Sequence, residues 1–67
     1  MNKFSERLKQ LRIEKKLSQK ELATILEVDQ RSVSNWEKAV REPDYAMLIK
    51  IADYFEVSAD YLLGLED

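Results

Sequence analysis

A chain of 67 residues makes one small domain, and at this length only about 60% of the unfolded surface becomes buried. It contains no cysteine and no histidine, which excludes disulfides, thiolate sites, most zinc sites and the commonest general base. The formal net charge of −2 hides a division: residues 1–41 hold ten Lys/Arg and six Asp/Glu, a balance of +4, and residues 42–67 hold one and seven, a balance of −6.

The apolar spacing predicts five helices and no strands; Gly and Pro occur once each, which suits short helix connections. The first helix runs from about Lys3 to Lys16, with Phe4, Leu8 and Leu11 facing the core and Lys15 and Lys16 at the negative end of its dipole. Leu17 packs the corner. Ser18 and Glu21 form a capping box for the second helix, about Gln19 to Leu26. Leu22, Ala23 and Leu26 are its apolar stripe, and Ala23 is small enough for close approach of a neighbour. Val28 plugs the turn, and Asp29 caps the third helix, about Gln30 to Lys38. Only Val33 and Trp36 are apolar there, so Trp36 reads as core rather than as a platform for stacking bases. Pro43 ends a loop and Asp44 caps the fourth helix, about Tyr45 to Phe55, with Leu48, Ile51, Ala52 and Phe55 inward. Ser58 caps the fifth, about Ala59 to Leu63, and Gly64 stands where a helix end favours a left-handed residue. Tyr45, Tyr54 and Tyr61 read as half-buried packing residues or interface contacts.

Residues 18–37 thus have the layout of a helix-turn-helix, whose second helix enters the DNA major groove. That helix exposes Gln30, Arg31, Ser32, Ser34 and Asn35, all able to bond base edges or phosphates, with no acid between Asp29 and Glu37. Lys38 and Arg41 lie just beyond it, placed to clamp the DNA backbone.

LSQKELA at 17–23, the VxxxxVS pattern from Val28 to Ser34, Trp36-Glu37, Pro43, IADYFEVS at 51–58 and DYLL at 60–63 resemble the phage-repressor-type (Cro/C1, or XRE) helix-turn-helix regulators. The resemblance covers almost all of the chain. It implies an all-α, compact five-helix, lambda-repressor-like DNA-binding domain, spanning residues 1–67, that works as a homodimer on a two-fold symmetric operator in double-stranded DNA. It puts the base-reading positions on Gln30, Arg31 and Asn35, with Ser32 and Ser34 secondary. It makes Gln19 a phosphate anchor, and it pairs Arg12 with Glu37. Two positions depart from the pattern: Glu27 and Ala39 stand where the family has Gly usually and often, respectively. A positive φ at Glu27 would cost about 1 kcal/mol.

No cofactor, metal site or catalytic pocket is expected from this chain. No apolar run approaches the roughly 18 residues of a membrane span and no signal peptide is visible, so the cytoplasm is the expected location. The expected function is that of a sequence-specific regulator, a repressor. The alternatives are an antitoxin-type regulator that also binds a partner protein, and a pure protein-interaction module, for which the acidic half speaks. Leu62, Leu63 and Leu65 suggest a two-fold contact at the C-terminal end. The chain reads equally as a whole small protein or as the DNA-binding part of a longer one.

Overall fold

The computed structural model describes residues 3–66. Five helices follow one another: α1 Phe4–Glu14, α2 Gln19–Leu26, α3 Gln30–Glu37, α4 Tyr45–Phe55 and α5 Ala59–Leu63. Four of them start where a side-chain oxygen takes a free N–H of the first turn: Ser18 from Glu21, Asp29 from Arg31, Asp44 from Met47 and Ser58 from Tyr61. At α2 the capping box is complete, because the Glu21 carboxylate also accepts the Ser18 N–H at 2.8 Å.

One buried cluster joins all five helices: Phe4 and Leu8, Leu22, Ala23 and Leu26, Val33 and Trp36, Ile51, Ala52 and Phe55, and Leu62. Leu11, Leu17, Val28 and Leu48 are partly buried against it. Tyr54 and Tyr61 are half-buried; the Lys15 ammonium lies over the Tyr54 ring and the Arg7 guanidinium over that of Tyr61. Tyr45, by contrast, is 87% exposed, so of its two expected roles packing is ruled out. Leu62 is fully buried. Of the three leucines expected to form part of a two-fold contact, Leu62 is thus taken up by the core, Leu63 is partly buried against it, and Leu65 is exposed.

The helix ends share one device. Lys16, Glu27, Ala39, Glu56 and Gly64 all have left-handed φ, between 57° and 81°. At each end the next residue's N–H reaches back five residues, as from Leu17 to Arg12 and Val28 to Ala23, giving the Schellman arrangement. The residue after each left-handed one is apolar: Leu17, Val28, Val40, Val57 and Leu65. This stops α1 at Glu14 rather than Lys16 and α3 at Glu37 rather than Lys38. Four of the five left-handed residues carry a Cβ, which strains each by about 1–2 kcal/mol. Ala39 is exposed, so Ala39→Gly should stabilise the domain by about 0.5–1 kcal/mol after the entropy gained by the unfolded chain is subtracted. A thermal melt of this variant should rise by several degrees; an unchanged or lowered midpoint contradicts the strain.

Candidate nucleic-acid interface

α2 and α3 meet across a short turn whose geometry is fixed from within. Leu26 ends α2, Glu27 turns left-handed at φ 61°, Val28 packs against the core, and Asp29 opens α3. The inward side of α3 is Val33 and Trp36, both buried. Its outer face follows from the helical period: Arg31, Ser34, Asn35 and Lys38 fall at i, i+3, i+4 and i+7 and lie together. Gln30 and Ser32 flank this stripe. Gln30, Arg31 and Lys38 are exposed, and Ser32, Ser34 and Asn35 are partly exposed. Among the described residues, no side-chain hydrogen bond or ion pair within the domain engages these six side chains or that of Arg41. Arg41 is exposed on the loop that folds back on α3, where the Asn35 carbonyl accepts the N–H groups of Val40 and Arg41.

Removing a negative charge from this face is the work of an internal pair. The Arg12 guanidinium donates to both carboxylate oxygens of Glu37, Nε at 2.6 Å and Nη2 at 3.0 Å. Side-chain exposure is 12% for Arg12 and 4% for Glu37. The hydrogen bond to Glu37 raises the Arg12 pKa above its ordinary value, against the opposing effect of burial. Arg12 also donates to the Leu17 carbonyl at 2.8 Å, tying the α1–α2 corner to the end of α3. Ser5 adds a second tie, its hydroxyl donating to the Trp36 carbonyl at 2.6 Å.

Gln19 is placed differently from the other candidates. Its amide nitrogen donates to Glu37 Oε1 at 3.1 Å, so the side chain is already part of the Arg12–Glu37 network. One N–H and the amide oxygen remain for other contacts. The structure therefore gathers Gln30, Arg31, Ser32, Ser34 and Asn35 on one helix, with Lys38 as its C-cap, Gln19 beside its C-terminal end through Glu37, and Arg41 on the following loop. Lys50 belongs to this arrangement too, although it is not among the residues expected there. Its ammonium donates to the Leu26 carbonyl at 2.8 Å and to Glu27 at 3.3 Å, bracing the turn from α4. A signal was present: Lys50 is the single cation of the acidic half, and α2 has no basic residue in its last turn.

The sequence model of the helix-turn-helix family matches residues 8–62. The chain is 45% identical over 60 residues to the uncharacterized HTH-type transcriptional regulator YqaE of Bacillus subtilis (strain 168), covering 90% of this chain and 52% of that protein. It spans about half the length of most curated relatives it matches. A crystal structure of a transcriptional regulator from Listeria innocua superposes with a TM-score of 0.91 at 33% identity, over 100% of this chain and 63% of that one. The P22 c2 repressor protein, in complex with a synthetic operator, superposes at 0.88 with 27% identity, over 98% of this chain and 100% of that one. With five helices in the same arrangement and the family pattern running from α1 to α5, the chain belongs to the helix-turn-helix family in its phage-repressor (Cro/C1, or XRE) type.

Proposed function

We propose that this chain is a sequence-specific, double-stranded DNA-binding transcriptional regulator, acting as a repressor, with α3 laid in the major groove. The observation that carries the reading is the outer face of α3: Arg31 and the flanking Gln30 are open to solvent, Asn35 is partly so, and Glu37 is turned inward and neutralised by Arg12. Arg pairs bidentately with guanine, and Asn and Gln with adenine. Ser32 and Ser34 reach phosphate or base edges at the rim. Lys38, Arg41 and the remaining N–H of Gln19 hold phosphates. The acidic half, from Glu42 onward, then faces away from the duplex, which resolves the unfavourable net charge. The likeness to a repressor with operator bound supports the same pose.

The chain works as one DNA-binding unit without cofactor or catalysis, in the cytoplasm; no helix among the described residues is long and apolar enough to cross a membrane. It binds as a homodimer at least on DNA, with recognition helices in successive major grooves about 34 Å apart. Leu65 and Tyr45, both exposed, and Leu63, which lines a cleft with Tyr45 and Pro43, supply the apolar contact.

Binding to random duplex at low salt separates this reading from a pure protein-interaction module: the regulator binds with a steep salt dependence, and the module does not bind. Within the regulator, base and phosphate contacts separate in turn. Arg31→Ala should cost about 1–3 kcal/mol on a selected site and relax the base choice there. Lys38→Ala and Arg41→Ala should weaken selected and scrambled DNA alike, each lowering the salt slope by about 1. An equal loss on both duplexes for Arg31→Ala would make Arg31 a phosphate clamp instead.

A further inference from the structure

The turn between α2 and α3 is braced from α4, a helix outside the helix-turn-helix itself. The Schellman arrangement satisfies the carbonyls of Ala23 and Thr24 through the N–H groups of Val28 and Glu27. The Leu26 carbonyl lies beyond their reach, at the negative end of a helix with no basic residue in its last turn. Lys50, on α4, fills that position with a cation at 2.8 Å. The same ammonium lies 3.3 Å from the carboxylate of Glu27, the strained left-handed residue itself. Among the described residues, these are the hydrogen bonds that join α4 to the helix-turn-helix. The Lys50 side chain is 42% exposed, so it is placed to hold the turn rather than to fill the core.

We propose that Lys50 is a positioning residue for DNA reading: by holding the Leu26 carbonyl and Glu27, it fixes the angle at which α3 leaves the turn. The link is physical and short. Asp29, the cap of α3, is two residues past Glu27, and Gln30 and Arg31 follow at once. A turn free to rock would swing these first-turn side chains off the base edges, whereas phosphate contacts tolerate small displacements. Lys50 itself touches no base. The proposal rests on the DNA-reading role of α3, so its test has one arm without DNA.

In the free protein, Lys50→Met keeps the stem and removes the ammonium. Amide exchange at Glu27 and Val28 should quicken about tenfold, a lost charge-assisted bond. The Leu17 amide, which sits in the equivalent bond at the end of α1, should not change. On DNA, the ratio of selected-site to scrambled affinity should fall about five- to tenfold with an unchanged salt slope. Lys50→Arg should restore both readouts. Lys50→Gln, a shorter neutral donor, should give a milder form of both losses and serves if the Met variant is not folded. Unchanged exchange at Glu27 and Val28 overturns the proposal. So does an equal loss on both duplexes with a slope lowered by about 1, which would make Lys50 a phosphate contact. So does a lowered melting point with the affinity ratio intact. A wild-type protein that prefers no duplex refutes the DNA reading instead, and the exchange arm still decides the clamp.

Discussion

Trp36→Ala is expected to destabilise the domain by about 3–5 kcal/mol, the cost of removing a large buried aromatic. Trp36 is 6% exposed and stands where α1, α3 and the core meet. Its neighbours cannot collapse into the space, because the α3 backbone is held there by Ser5 on the Trp36 carbonyl and by Arg12 on Glu37. A domain of this size has about 3–10 kcal/mol in total, so the variant should lose about a third or more of its stability, read by circular dichroism as a melting point lowered by well over ten degrees. A variant that melts like wild type and yet binds DNA poorly would place Trp36 at the interface and undo the core assignment.

Arg12→Met is expected to cost about 3 kcal/mol, the lower end for breaking a buried ion pair, because Arg12 keeps 12% exposure to water. The loss comes from Glu37: its carboxylate, 4% exposed, would keep only the neutral Gln19 amide as a partner. Replacing both residues, Arg12→Met with Glu37→Met, should recover most of the stability, since the charge is then gone from the interior. Denaturant unfolding of the two single variants and the double one measures this directly. If Arg12→Met lies within about 0.5 kcal/mol of wild type, the pair behaves as an ordinary screened surface bridge.

The helix starts were readable because Ser18, Asp29, Asp44 and Ser58 each precede an apolar-periodic segment, and each proves to be a side-chain cap. The ends were less so. Only Gly64 announces itself, whereas Lys16, Glu27, Ala39 and Glu56 carry side chains that disfavour the conformation they adopt. The apolar residue that follows each of them is the sequence signal of such an end: Leu17 and Val28 are legible as a corner and a turn plug, whereas Val40 and Val57 stand in segments with no such cue. The Arg12–Glu37 pair came from family resemblance, and nothing in the spacing of two residues 25 apart dictates it. Leu62 and Leu63 could not be sorted by period in a helix of five residues, and only packing buries the first fully and leaves the second half-buried, while Leu65 lies past the helix end and is exposed. The outer face of α3 was legible because Val33 and Trp36 leave a single orientation for the helix. The Lys50 brace was not, since it depends on where α4 lies relative to a turn 24 residues earlier.

We propose above all that the first two turns of α3 read bases. Selecting bound sequences from a random duplex pool, with the wild type and with Gln30→Ala, Arg31→Ala and Asn35→Ala in parallel, tests it most directly. The expected result is an inverted repeat with half-sites about 34 Å apart, and in each variant a loss of preference confined to one position per half-site. A pool that yields no preferred sequence, or a preference that all three variants keep unchanged, would contradict it.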